Sequence, residues 1–137
     1  MNNCDGDFEL YAAELAYSFD GQYGVDVRLA SQRKLTDNTS DDRFARVSPN
    51  GGMIAYSSNS SGNWDLAIVD SGGQNISLVL ATLANEEAPT WSPDGNILAY
   101  ASDNDGDYEI YTVTLGRRSI QQLTFNKAQD RWPLWAQ

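Results

Sequence analysis

Apolar residues in this chain fall in short runs separated by clusters of Gly, Asp, Asn, Ser and Pro, and no stretch carries a helical pattern long enough to make a packed helix. Within the runs the apolar residues occupy both faces of an extended chain. In residues 108–115, Tyr108 and Ile110 point one way while Tyr111, Val113 and Leu115 point the other. Side chains alternate along a strand, so a strand apolar on both faces belongs to a sheet covered on both sides. With no helices to supply that cover, neighbouring sheets must do so.

The runs recur. Ser48-Pro49-Asn50 returns as Ser92-Pro93-Asp94, and Ile54-Ala55-Tyr56 as Leu98-Ala99-Tyr100, both 44 residues later. Leu35-Thr36 returns as Leu123-Thr124, and Asp42-Arg43-Phe44 as Asp130-Arg131-Trp132, both after 88 residues, twice that period. Asp5-Gly6-Asp7-Phe8-Glu9-Leu10-Tyr11 parallels Asp105-Gly106-Asp107-Tyr108-Glu109-Ile110-Tyr111 at an offset of 100, which implies 12 extra residues near 16–32. These form a long hairpin around Phe19-Asp20-Gly21-Gln22-Tyr23-Gly24. A competing frame aligns Leu15-Ala16-Tyr17 with Leu98-Ala99-Tyr100 and makes 8–36 a full repeat, but it matches fewer positions.

Each repeat holds four strands, A to D, with turns set by residues such as Pro93-Asp94-Gly95: proline presets φ, aspartate bonds its own backbone, and glycine accepts φ > 0. In one unit they fall near 44–48, 53–58, 64–70 and 76–81, and in the next near 88–92, 97–102, 108–115 and 119–124. The expected organisation is one all-β domain with units at 5–36 (incomplete, insertion 16–32), 44–81 and 88–124, and a terminal strand A at 132–136. A repeat of small four-stranded sheets is a β-propeller; a two-sheet sandwich explains the short strands but not the fixed period.

The residues of the best-preserved unit carry a resemblance. Pro89-Thr90-Trp91-Ser92-Pro93-Asp94-Gly95, then Asp105-Gly106-Asp107-Tyr108-Glu109-Ile110-Tyr111, then Leu123-Thr124 resembles the WD40-like repeat of TolB-type β-propellers. Val47 and Asn50 depart from the pattern in the earlier unit, as does Gly116-Arg117-Arg118 in the later one. The resemblance implies periplasmic or secreted bacterial relatives that bind proteins, and it extends to propellers that gate serine peptidases.

The strand count gives about three blades, short of the four to eight that close a propeller. The incomplete ring is expected to be completed by homo-oligomerisation or by blades outside this sequence.

Composition narrows the chemistry. The chain has 137 residues, a net charge of −10, one cysteine and no histidine. That excludes an internal disulfide, the usual serine triad and most zinc sites, and opposes binding of nucleic-acid phosphates. No apolar run is long enough for a membrane helix, and the polar start carries no signal peptide.

Strands A and C start at the same rim, so the D–A and B–C loops share a face. Those loops hold Asp5, Asp7, Asp37, Asp41, Asp42, Glu86, Glu87, Asp103, Asp105, Asp107 and Asp130 against Arg43, Lys127 and Arg131, a net −8 of the total −10. The function expected is therefore non-catalytic: a scaffold binding a basic protein or peptide through this acidic face. The residues expected to carry it are Asp42, Arg43, Glu86, Glu87, Asp103, Asp105, Asp107, Asp130, Arg131 and Trp132. Asp42-Arg43 and Asp130-Arg131 read as local ion pairs. Phe44, Ala88 and Trp132 occupy equivalent positions, where an aromatic packs between blades or faces the channel mouth; packing is the favoured reading. No cofactor is expected. Asp103, Asp105 and Asp107 are a weak calcium candidate, better read as a hairpin turn because the full EF-hand spacing is missing. The alternatives are the propeller portion of a larger hydrolase, or a cation- or carbohydrate-binding module.

Overall fold

A computed structural model of the protein describes residues 6–19, 21 and 25–136. Ten strands follow one another: β1 (Tyr11–Phe19), β2 (Val25–Lys34), β3 (Asp42–Val47), β4 (Met53–Ser58), β5 (Asp65–Asp70), β6 (Ile76–Leu80), β7 (Glu86–Trp91), β8 (Ile97–Ser102), β9 (Glu109–Thr114) and β10 (Ser119–Gln122). They form a two-stranded ribbon, β1-β2, and two four-stranded antiparallel sheets, β3-β4-β5-β6 and β7-β8-β9-β10, each a meander in chain order. The fold is all-β, with blades that do not close a ring.

The ribbon decides between the two sequence frames. Leu15-Ala16-Tyr17 lies inside the single strand β1, which pairs with β2 from Tyr11↔Lys34 to Phe19↔Val25. The extra residues lengthen a C–D hairpin and do not form a separate blade. Asp20, Gln22, Tyr23 and Gly24 of its expected turn lie outside the described residues, as do Cys4 and Asp5.

Two expectations are corrected. Residues 132–136 form no strand, because a strand A needs a strand B beside it and no described residue supplies one. Strands A also begin two residues earlier than expected, at Asp42 and Glu86. Their ladders start with Asp42↔Ser58 and Glu86↔Ser102, then shift register, so Phe44 and Ala88 sit inside a β-bulge. Both residues have positive φ, 58° and 54°, and Trp132 repeats this at 63°.

The turns between strands A and B work as the sequence indicates. Ser92 Oγ donates to Asp94 Oδ1 at 2.6 Å and accepts from the Ile97 N–H at 3.0 Å, with Gly95 at φ 73°. In the other blade Ser48 bonds Asn50 Oδ1 at 2.8 Å and accepts from Met53 N–H at 3.0 Å. Asn50 thus replaces the aspartate without changing the turn, since only a side-chain carbonyl-type oxygen is needed.

Sheets pack face to face, as the two-sided patterning requires. Ala55, Leu66 and Ile68 of one blade meet Trp91, Leu98, Tyr100, Tyr111 and Val113 of the next. The opposite face of the first blade, with Ile54, Tyr56, Ala67 and Val69, covers Leu10 and Leu35 at the base of the ribbon.

Candidate functional site

The D–A and B–C loops meet at one rim, held by bonds that repeat from blade to blade. The N–H groups of Asp42, Glu86 and Asp130 donate to the carbonyls of Phe8, Trp64 and Tyr108 at 2.6, 2.7 and 2.6 Å. Asp41 N–H donates to Asn59 Oδ1 at 2.8 Å, and Asn85 N–H to Asp103 Oδ1 at 2.7 Å, tying each D–A loop to the B–C loop of the blade it enters. The Asp41 carboxylate and the Asn85 amide oxygen then accept from Phe8 N–H (2.9 Å) and Trp64 N–H (3.1 Å) of the preceding unit.

Beneath these loops lies a row of buried carboxylates. Glu9, Asp42, Asp65, Glu86 and Glu109 are all inaccessible to solvent or nearly so. Glu9 accepts from the Thr36 hydroxyl and, at 2.6 Å, from Asn38 N–H, while Asn38 Nδ2 donates to Asp42 at 2.9 Å. The last unit repeats the pattern with Thr124, Asn126, Glu109 and Asp130. Burial pushes the Asp42 carboxyl above its ordinary range, with Glu9 acting in the same direction against the hydrogen bonds of Ser58, Asn38 and Thr36. Burial likewise raises Glu86 to about 7, helped by Asp65 and Asp103 and opposed by the Thr82 hydroxyl. Asp42 and Glu86 are therefore structural acids under the rim and offer a partner no surface.

Above them runs a belt of aromatic and charged side chains. The Arg43 guanidinium lies 4.4 Å from the Phe8 ring centre and 5.3 Å from that of Trp64. Arg131 lies 3.5 Å over Tyr108, whose hydroxyl donates to Glu87 at 2.8 Å. The ion pairs differ from those expected. Arg43 pairs with Asp41 (3.1 Å) and Arg131 with Glu87 (3.8 Å), because adjacent strand residues such as Asp42 and Arg43 point to opposite faces. Phe44 and Trp132 meet edge to face at 5.1 Å, and Phe44 also reaches Trp64 at 6.5 Å. Trp132 stays 59% exposed.

The other predicted residues divide by role. Asp103 is taken up by Asn85, accepting from both its backbone and its side-chain amide. Asp130 holds Asn126 at 2.6 Å. The calcium candidate changes membership: Asp105 and Asp107 converge with Glu109, not Asp103, their oxygens all within 4.8 Å of one another. The turn at Gly106, with φ 108°, brings Asp105 and Asp107 round to the start of the strand at Glu109. Beside them Tyr111 is held above its ordinary range, first by burial and then by the fields of Asp105, Glu109 and Asp107, against the nearby Asn104.

These features define a class: a β-propeller of four-stranded antiparallel meander blades, whose inner strands, bulged at each entry, gather loops at one rim. More specifically, the fold is that of the TolB-type propellers. The chain superposes on a putative TolB from Agrobacterium tumefaciens with a TM-score of 0.69 at 19% identity, over 95% of this chain and 50% of that one. TolB from Acinetobacter baumannii gives 0.65 at 21%, over 77% and 27%. A puromycin hydrolase S511A mutant complexed with PGG gives 0.62 at 17%, over 90% and 22%. The chain thus spans half or less of the length of each. No protein-family model matches it, and no curated protein matches it in sequence.

Proposed function

We propose that the protein is a non-catalytic propeller scaffold that binds a basic protein or peptide at the rim formed by its D–A and B–C loops. The observation that carries this reading is the exposed Trp132 ring set edge-on against Phe44, inside a loop face rich in carboxylates. Trp, Tyr and Arg anchors surrounded by polar groups are what protein-binding hot spots are made of, and an acidic surround speeds the encounter with a basic partner. Arg43 and Arg131 neutralise Asp41 and Glu87 locally and Lys34 pairs with Asp37, which leaves Asp105 as an exposed acid free to steer.

A lysine-rich peptide is the probe. It is expected to bind with association that slows as salt rises, and Trp132→Ala is expected to weaken it by about tenfold, mainly through faster dissociation. Equal association of a glutamate-rich peptide, or unchanged affinity in the variant, would remove the proposal. The reading as a propeller portion of a hydrolase draws on the puromycin hydrolase likeness; this chain has no histidine with which to activate a serine.

A further inference from the structure

The same three positions follow strand B in the two four-stranded blades, and they are filled differently. In the blade of β3–β6 they are Ser61, Asn63 and Asp65. Ser61 Oγ donates to Asp65 Oδ2 at 2.5 Å and Asn63 Nδ2 to Asp65 Oδ1 at 3.4 Å, so the one buried acid is met by two neutral donors. In the ribbon unit, Glu9 has the Lys34 ammonium 3.5 Å away. In the blade of β7–β10 the donors are replaced by acids, Asp105 and Asp107, beside the buried Glu109. The residue matching Lys34 is Gln122, which brings only a neutral amide to Asp105, at 2.8 Å. Among the described residues no cationic side chain forms an ion pair with any of the three.

Two further atoms lack a partner there. Asp107 Oδ2 is buried and accepts no hydrogen bond. The Tyr111 hydroxyl belongs to a residue only 6% exposed and has no hydrogen-bond partner either. Like charges this close, with buried unpaired oxygens among them, call for a compensating positive charge.

We propose that Asp105, Asp107 and Glu109 bind a divalent cation, with Ca²⁺ the best fit. Every donor is a hard oxygen and no sulfur or imidazole is present, which disfavours zinc and copper. Glu109 already accepts from Thr124 and Asn126, so it keeps a lone pair and its charge for the ion, while exposed Asp105 leaves room for water to complete six to eight ligands. The site lies at the β8–β9 turn, beside the end of β10, and shares no residue with the Phe44–Trp132 contact.

The test uses the whole chain and calcium alone. Calorimetric titration is expected to show one Ca²⁺ per chain, with a rise in melting temperature and weaker binding of Mg²⁺. Terbium bound in place of calcium is expected to luminesce on excitation of the nearby tyrosines. The double variant Asp105→Ser with Asp107→Asn installs the residues of the neighbouring blade, which fold there. It is expected to weaken binding by at least about tenfold and to abolish the calcium-dependent melting shift. The proposal is overturned if millimolar calcium gives neither heat nor terbium signal with the unaltered chain, or if the double variant binds as well.

Discussion

Glu86 shows how a single residue can read one way in sequence and act another way in the fold. Its charge suggested a docking face, but strand pairing with Ser102 and the bond from its N–H to Trp64 carry it under the loops. One carboxylate oxygen there accepts from Thr82 and the other has no partner. The cost of burying the charge appears as the raised pKa. In the unfolded chain this carboxyl ionises near 4.5, and in the folded one near 7. Between those values the unfolded chain sheds a proton that the folded chain keeps, so stability falls as pH rises through that window and remains lower above it. Glu86→Gln keeps the shape and an oxygen for Thr82 while removing the ionisation. The variant is expected to gain on the unaltered protein between pH 5 and pH 8, by up to about 3 kcal/mol in urea unfolding. A stability difference that does not change with pH would refute this account.

At the scale of elements, the blades are locked by a bond that repeats with the period of the sequence. Trp91 Nε1 donates to the Arg46 carbonyl of the preceding inner strand at 2.8 Å, and Trp135 Nε1 to Thr90 at 3.1 Å. The indole of Trp91 packs in the core between the sheets, and its N–H donates to a carbonyl of the neighbouring inner strand. Val47 stands at the equivalent position in the earlier blade, offers no donor, and is largely exposed. Trp91→Phe is expected to lower stability by about 1–3 kcal/mol, since a part-buried carbonyl loses its partner and the core loses volume. Trp135→Phe, at a half-buried position, is expected to cost less. Equal shifts in urea midpoint for both would contradict the assigned packing. The bulges belong to this scale too. Positive φ at Phe44, Ala88 and Trp132 is uncommon for residues with a Cβ, and it recurs at these equivalent positions of the repeat; the Phe44 and Trp132 rings meet edge to face. Trp132 packs on Phe44 and leaves most of its ring exposed to solvent.

For the whole molecule, what stands out is the two uncovered ends of the array. The ribbon exposes Leu15, Tyr17, Val25, Val27 and Leu29, with Leu15 opposite Leu29 and Tyr17 opposite Val27 in register. The other end exposes Ile120, Leu123, Phe125 and Leu134. Exposed apolar patches and unpaired strand edges favour association. Closure by further copies of the chain predicts species larger than a monomer in sedimentation velocity at micromolar concentration, with the population shifting on dilution. A folded monomer across that range would eliminate closure between copies.

Much of this was legible in the sequence because a propeller repeats its local solutions. The 44-residue period, the Ser-Pro-Asp-Gly turn and the two-sided apolar strands fix four strands per blade, and β4 and β8 occupy the predicted positions. These features rest on neighbours close along the chain, so periodicity reports them. The long hairpin was legible for the same reason, through the offset that breaks the period.

The site was less legible, because a residue letter gives charge but not depth. Asp42 and Asp41 are adjacent acids, yet strand alternation buries one and leaves the other at the rim to clasp Arg43 and Phe8. The partner of Arg131 is Glu87, 44 residues away, and that of Asp103 is Asn85; both follow from how D–A and B–C loops meet. By itself, then, the sequence determined the repeat, the strands and their turns, and the sign of the charge. Only the tertiary structure decided which carboxylates are buried braces, which three converge at the β8–β9 turn, and that Phe44 and Trp132 touch across 88 residues. Those outcomes depend on solvent exclusion and on contacts between units, and neither is encoded within a single repeat.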